Sequence, residues 1–152
     1  MDYRLISLFN LKKLNYRITI YLIVYMIGAS LHCGAQSLYN GSNMLIGRIE
    51  SDGIVRNQSN MMIGKFKSDG TIENRNYMMV GKIEPDGTIR DRLYMMIGKV
   101  DSDGEVRDKN YMQIGRVKSD GTVVDHNNIT NGYAKNIPVT YAAVFFFFKL
   151  FE

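Results

Sequence analysis

The chain has 152 residues and a net charge of +4, with one cysteine, two histidines and no tryptophan, but 14 glycines and 10 methionines. This length predicts one small domain, and a glycine-rich composition with only two prolines fits neither a collagen nor a disordered tail. The basic excess is N-terminal, because residues 1–35 hold four bases and one acid and leave 15 bases and 14 acids in the rest. A remainder near neutrality lacks the surplus that neutralises phosphates, so we expect no nucleic-acid partner.

The N-terminal segment predicts a signal peptide. Basic residues precede a mostly apolar run over residues 18–27, and small residues follow it. This order is typical of a secretory signal, and the run is too short to cross a bilayer comfortably. We expect residues 1–35 to be the signal peptide, with cleavage after Ala35 and Gln36 as the new N-terminus. The protein is then exported to the periplasm, the cell surface or the medium.

Cys33 leaves two alternatives to this processing. The stretch Ser30-Leu31-His32-Cys33 resembles a bacterial lipobox, which would make Cys33 a lipid anchor, although His32 stands where a small residue is usual. The other alternative is that the segment is retained as a membrane anchor. If cleavage follows Ala35, the mature chain has no cysteine, so it can form no disulfide and use no thiol in catalysis.

Five units of 17 residues follow without an insertion. Two glycines of each unit recur at this spacing, as Gly47, Gly64, Gly81, Gly98 and Gly115, and as Gly53, Gly70, Gly87, Gly104 and Gly121. Residues 37–40 align with the second half of a unit, and residues 129–135 align with the first half. These halves are expected to pair as a sixth, split unit or to bring the ends together, which would close a ring and remove exposed sheet edges.

Each unit predicts a β-hairpin with Asp-Gly at its turn. In the third unit, Pro85 suits the first central position of a type I turn and Gly87 suits a left-handed G1 bulge, so we expect a three-residue loop. An Asp that caps its own turn explains the recurring acid without a calcium site. The ten structural turn residues are Asp52, Gly53, Asp69, Gly70, Asp86, Gly87, Asp103, Gly104, Asp120 and Gly121.

The repeat and the segment after it resemble a known family. Five units of the form Met-x-Ile/Val-Gly-Lys/Arg followed by Asp-Gly, then the run from Gly132 to Val144 and its Phe stretch, are similar to the 5-fold β-flower family. That family comprises secreted, functionally uncharacterised proteins of Bacteroidetes. The resemblance covers residues 37–152. It implies a secreted, pseudo-fivefold ring of β-hairpins, and it transfers no activity.

We therefore predict an all-β fold in which five hairpin repeats, within residues 36–137, form a closed pseudo-fivefold ring. The alternative is a β-solenoid with one 17-residue coil per turn, which would need caps at both ends. Residues 138–152 form a Phe-rich segment that must be buried, because four consecutive Phe leave no polar face. We expect a short helix after Pro138 that docks over one mouth of the ring or forms a homo-oligomer through Phe145, Phe146, Phe147 and Phe148.

One basic position recurs directly after the first glycine of each unit. Its members are Arg48, Lys65, Lys82, Lys99 and Arg116. On strict alternation these side chains share a strand face with Met and Ile residues. If that face points inward, five cations rim an apolar channel that would carry a small anionic or lipidic ligand. If it points outward, the cations are solvated strand positions.

Residues suited to catalysis or to metal binding are scarce in the mature chain. His126 is its one histidine, appears in one unit only and has no cysteine beside it, so we expect no enzyme, no metal and no cofactor. Tyr77, Tyr94 and Tyr111 share one repeat position, where they would stack on a sugar or cover the next hairpin. We predict a secreted, non-catalytic binding or structural module for a cell-envelope component, a glycan or a small anion, with the channel carrier as the alternative.

Overall fold

The computed structural model describes residues 34–151. Residues 1–33, which carry the predicted signal sequence and Cys33, and Glu152 lie outside the described residues. Residues from Ala35 onward form one compact unit. Ala35 is exposed and the first strand begins at Gln36, so the predicted cleavage position directly precedes the folded part of the chain.

Twelve short strands form one closed antiparallel barrel. They are β1 (Gln36–Asn40), β2 (Leu45–Ile49), β3 (Ile54–Asn57), β4 (Met62–Phe66), β5 (Thr71–Asn74), β6 (Met79–Ile83), β7 (Thr88–Asp91), β8 (Met96–Val100), β9 (Glu105–Asp108), β10 (Gln113–Val117), β11 (Thr122–Asp125) and β12 (Thr130–Tyr133). The predicted half-units meet, because Tyr39 of β1 pairs with Tyr133 of β12. The closed ring is confirmed and the solenoid is excluded. The split unit supplies a sixth hairpin position beside the five complete repeats.

The hydrophobic core lies inside the barrel. In β4, Gly64 and Phe66 are buried, and Ile72 follows on β5, because alternate residues of a strand point to the same face. Equivalent positions in the other units complete the core: Leu38, Ile49, Val55, Ile89, Val100, Val106, Val117 and Val123. The core is thus built from one inward position on the second strand of each unit and from the position two residues after each first glycine.

A β-bulge interrupts the strict alternation that the sequence pattern predicts. The register shifts at every pairing between neighbouring units, as it does between Val55 and Arg56 of β3 where they face β4. A bulge adds one residue to one strand, so the side chains before it change face. Ile63 therefore packs against the core, whereas we expected it to share a face with Lys65.

The Asp-Gly turns have the three-residue geometry that the sequence predicts. In the third unit, Glu84 N donates to Thr88 O at 2.8 Å and Gly87 N donates to Glu84 O at 3.0 Å, with Gly87 at φ +84°. Asp86 Oδ1 accepts from Thr88 N at 3.0 Å. The Gly87 carbonyl also accepts from Val100 N at 2.9 Å, which ties each turn to the next hairpin. A side chain at Gly87 would overlap the Val100 carbonyl, so glycine is required there.

The C-terminal segment is helical, as predicted, but it lies inside the barrel. Helix α1 (Val139–Ala143) begins after Pro138 and continues as a five-residue π-helix (Val144–Phe148). Ala142, Ala143 and Val144 are fully buried in the barrel core, so the segment does not merely cover a mouth. Within residues 34–151, no helix has the length and hydropathy needed to span a bilayer.

Candidate functional site

Six glycines form a ring inside the barrel, and the C-terminal segment packs onto all of them. The glycines are the first of each unit and their equivalent in β12: Gly47, Gly64, Gly81, Gly98, Gly115 and Gly132. Taken in the same order, the side chains that reach them are Phe145, Phe151, Leu150, Phe148, Phe147 and Phe146. A Cβ at Gly81 would lie 2.8 Å from Leu150 Cδ1. Glycine therefore leaves the space that each apolar side chain of the segment occupies.

The π-helix explains how one short segment reaches every hairpin. Its successive residues Phe145 to Phe148 contact successive hairpins around the ring. Lys149 adopts a left-handed conformation with φ 49°, and the next two residues then fill the last two positions. At the level of the glycines, the predicted central channel is thus filled by the protein's own side chains. The four Phe rings pack onto glycines of their own barrel, and the homo-oligomer expected through them stays a prediction.

The recurring basic residues lie on the outer face of the barrel. Lys99, for example, stands between Gly98 and Val100, which are both buried and point inward. The same pattern places the whole set outside: Arg48, Lys65, Lys82, Lys99 and Arg116. These cations do not converge on the axis, so the structure does not assemble the anion-binding rim that an inward face would have formed.

Two of these cations reach the acid of the preceding Asp-Gly turn. Lys99 Nζ lies 4.0 Å from Asp86 Oδ2, and Arg116 Nη1 lies 3.1 Å from Asp103 Oδ2. The backbone N–H of Glu105 is the main cause that lowers the pKa of Asp103, and the Arg116 guanidinium adds to it. In these two places, a predicted turn acid and a predicted cation form a contact between neighbouring hairpins on the outer face.

A second set of ion pairs, which the sequence analysis missed, crosses individual hairpins. Arg56 Nε lies 2.6 Å from Glu50 Oε1, and the same pairing recurs in the third and fourth units. In the second unit the signs are reversed, with Lys67 Nζ 3.2 Å from Glu73 Oε1. Each pair joins two residues that stand six apart in the sequence. Opposite charges occupy these two positions in four of the five units, so the pairs could have been predicted from the sequence.

Two clefts open beside α1 at the end of the barrel that carries the Asp-Gly turns. The larger has a volume of about 990 Å³ and the other about 430 Å³. Phe66 stacks on Tyr141 beneath the larger cleft, with ring centroids 4.0 Å apart. The charged side chains that line the larger cleft are Lys65, Lys67 and acids of the adjacent turn. This mixture favours neither a cationic nor an anionic ligand.

The one histidine of residues 34–151 lies at the protein surface. His126 is exposed in its loop. Over residues 34–151, no group of three or more His, Cys, Asp or Glu side chains is placed to hold a metal ion. In the same range, every buried side-chain nitrogen or oxygen has a hydrogen-bond partner.

The opposite end of the barrel is formed by the loops that join one unit to the next. These six loops span residues 40–44, 57–61, 74–78, 91–95, 108–112 and 125–129, and we call them the Asx loops because each begins with Asn or Asp. In the fourth, Asp91 Oδ1 accepts from Leu93 N at 2.8 Å and from Met95 N at 3.0 Å. The same two bonds recur in all six loops, so each loop is internally braced.

Exposed apolar side chains are concentrated at this end. Eleven large hydrophobic residues of the described chain are exposed, and all lie in or directly beside the Asx loops. They are Tyr39, Met44, Met61, Tyr77, Met78, Leu93, Tyr94, Met95, Tyr111, Met112 and Ile129. This end of the barrel is therefore the candidate interaction surface, because exposed apolar side chains gathered in one region often lie at binding sites.

Three tyrosines at this end hold an unfavourable backbone conformation. The fourth residue of every Asx loop has φ between 60° and 64°. Asn occupies this position in three loops and tolerates the left-handed region, whereas Tyr77, Tyr94 and Tyr111 occupy it in the other three. These tyrosines are 55–69 % exposed, so they do not cover the next hairpin, which was one of the two roles that we expected for them.

The three tyrosine loops are consecutive and each carries an exposed cation. We call loops 74–78, 91–95 and 108–112 the tyrosine arc. Its cations are Arg75, Arg92 and Lys109, all of which are exposed. The arc therefore combines one aromatic, one methionine and one basic side chain in each of three neighbouring loops.

Comparison with known proteins agrees with this architecture. The family model described as "5-fold beta-flower protein" matches residues 35–150. No curated protein and no solved structure matches the chain. Because the family match includes all twelve strands and both helices, the chain belongs to the 5-fold beta-flower family.

Proposed function

We propose that the protein is an exported, non-catalytic binding module that engages its partner through the Asx loops. The observation that carries the proposal is the placement of all eleven exposed large hydrophobic side chains of the described chain at one end of the barrel. Scattered apolar residues on a surface need no explanation, but exposed apolar residues collected at one end of the barrel do. Tyr, Met and Arg are also the side chains that binding interfaces favour.

The barrel supports this role as a rigid scaffold. Closure through β1 and β12 leaves no free sheet edge among the described strands, and the six glycine contacts fill the axis. Each Asx loop is held by two side-chain bonds to its own backbone. Binding through loops that are already ordered loses little conformational entropy, which favours affinity.

Export is part of the same proposal. Support comes from the order of basic, apolar and small residues at the N-terminus and from the position of β1, since cleavage after Ala35 would remove no residue of the barrel. We infer a secreted protein of Bacteroidetes, as the sequence resemblance implies. A partner in the cell envelope, including a glycan, is consistent with that location.

The channel carrier is the weaker candidate. Its two requirements were an apolar lumen and a convergent cationic rim. The described residues fill the lumen with Phe and Leu side chains at the six glycines and hold the basic set on the outer face. No contact among the described residues favours an anion bound in the lumen or beside the basic set on the outer face.

The proposal is tested by sedimentation of the protein with isolated cell envelopes of the producing organism. The test variant combines Tyr77→Asn, Tyr94→Asn and Tyr111→Asn, and the control variant combines Lys118→Gln and Lys135→Gln, which are exposed near the Asp-Gly end. We expect the control to sediment like the wild type and the test variant to remain in solution. Equal sedimentation of both variants, or no sedimentation of the wild type, would overturn the proposal.

A further inference from the structure

We propose that the surface bound by the Asx loops is an anionic lipid bilayer, and that the end of the barrel formed by these loops faces the bilayer. The inference rests on the proposed function, because it names the partner of the same surface. The first argument is shape. The six loops have equal length, equal hydrogen bonding and equivalent positions around a closed ring, so their tips end at one level. A ring of equal tips fits a planar partner better than a groove or a protruding peptide.

The second argument is the chemistry of the tips. The last residue of each loop is apolar and 58–66 % exposed, so apolar side chains surround the whole ring: Met44, Met61, Met78, Met95, Met112 and Ile129. The tyrosine arc adds aromatic rings that carry a hydroxyl at one end. Such side chains are favoured at a membrane–water interface, where the ring contacts acyl chains and the hydroxyl stays hydrated.

The third argument is backbone strain. A tyrosine at φ near 60° is disfavoured, and three other loops of the same chain solve the same turn with Asn. The fold therefore gains nothing visible from Tyr77, Tyr94 and Tyr111, whose rings are exposed. A residue that holds a strained backbone conformation without stabilising the fold is typical of a functional surface.

The fourth argument is charge, and it selects an anionic surface. The exposed charges of the tyrosine arc are the cations Arg75, Arg92 and Lys109. Asp91 and Asp108 are only partly exposed, and each directs a carboxylate oxygen at two backbone N–H groups of its own loop. Basic residues at a bilayer surface gain energy from anionic headgroups. A second copy docked face to face would instead bring two arcs of cations into one interface, which disfavours self-association.

The test uses flotation of the chain from residue 36 to residue 152, which contains every strand and both helices. The vesicles are phosphatidylcholine alone and phosphatidylcholine with a minor fraction of phosphatidylglycerol. We expect binding to the second kind, and weakening by roughly a hundredfold when Arg75, Arg92 and Lys109 are all replaced by Gln. The variant Lys118→Gln with Lys135→Gln is the control at the other end, and its affinity is expected to be unchanged.

The combined Tyr77→Asn, Tyr94→Asn and Tyr111→Asn variant separates binding from folding, since Asn suits the turn. It is expected to remain folded and to lose flotation. Failure of the wild type to float, or equal flotation of this variant, would overturn the inference. If vesicles fail but cell envelopes are bound through the same tyrosines, the lipid assignment is wrong and the proposed function stands. A tyrosine-dependent dimer in light scattering, without flotation, would likewise refute the lipid assignment.

Discussion

The contact between Phe148 and Gly98 provides the sharpest test of how the C-terminal segment stabilises the barrel. Truncation of a fully buried Phe to Ala typically destabilises a protein by about 3–5 kcal/mol, and Phe148 is partly exposed, so we expect about 2–3 kcal/mol for Phe148→Ala. The opposite change, Gly98→Ala, places a Cβ in the space of the Phe148 ring and against the Arg107 carbonyl. Overpacking of this kind destabilises by about 1–3 kcal/mol.

The two changes are expected to be coupled. Once Phe148 is Ala, the Cβ of Gly98→Ala meets only the Arg107 carbonyl, so the second substitution should destabilise less than in the wild type, with a coupling energy of about 1 kcal/mol. Gly47 is the matched control. Its Cβ would lie 2.6 Å from the Arg56 carbonyl, but 3.4 Å from the Phe145 ring, so little coupling with Phe145→Ala is expected.

Thermal and urea unfolding followed by circular dichroism measures all of these variants. For a domain of this size, 1 kcal/mol corresponds to about 4 °C in the midpoint. Phe148→Ala should therefore lower the midpoint by roughly 8–12 °C. Strictly additive effects at Gly98 and Phe148, or a Phe148→Ala variant as stable as the wild type, would refute the packing of the segment onto the glycine ring.

Three further predictions follow from the turns and the N-terminus. Tyr94→Asn should raise the free energy of unfolding by about 1 kcal/mol in urea titrations, because Asn tolerates the left-handed region, and a loss of stability would contradict the strain argument. The pKa of Asp86 is lowered from its ordinary value of 3.8, chiefly by the Thr88 backbone N–H, so its contribution is fully present above that value and is lost as the pH falls through the folded pKa. Asp86→Asn should therefore make unfolding midpoints less sensitive to acid, and an unchanged acid profile would speak against this bond. Mass spectrometry of the exported protein should find Gln36 at the N-terminus, whereas a lipid on Cys33 would show the other processing route.

The repeat made the closed barrel predictable. A fixed 17-residue spacing, Asp-Gly at each turn and two complementary half-units at the chain ends are local signals, and they specify hairpins whose first and last strands can pair. The type of turn was also predictable, because Pro85 restricts its own φ and Gly87 accepts a positive one.

The orientation of the strand faces was not predictable from alternation. A bulge before each first glycine moves Ile63 and its equivalents toward the core and leaves Lys65 outside, and bulges have no reliable sequence signal. The glycine ring was missed for the same reason. A glycine resembles a break in a strand until one knows that its missing side chain faces inward and that aromatic and leucine side chains from far along the chain fill the space.

Only one property of the tyrosine arc, the equivalence of its three tyrosines, was predicted from the sequence. The period showed that Tyr77, Tyr94 and Tyr111 are equivalent, but not that they are exposed or that their backbone is left-handed. Aligning them with Asn60 and Asn128 of the same repeat position would have given the conformation, because Asn is the residue that most readily adopts it outside glycine.

Oxidative footprinting of the methionines tests most directly whether the Asx loops bind the partner. Five methionines lie at the loop tips and are well exposed, whereas Met62, Met79 and Met96 lie on strands and are partly buried. The loop methionines are Met44, Met61, Met78, Met95 and Met112. In protein bound to cell envelopes, we expect sulfoxide formation to fall at these five and to stay unchanged at the three strand methionines. Equal oxidation of the loop methionines in free and bound protein would show that the Asx loops do not contact the partner.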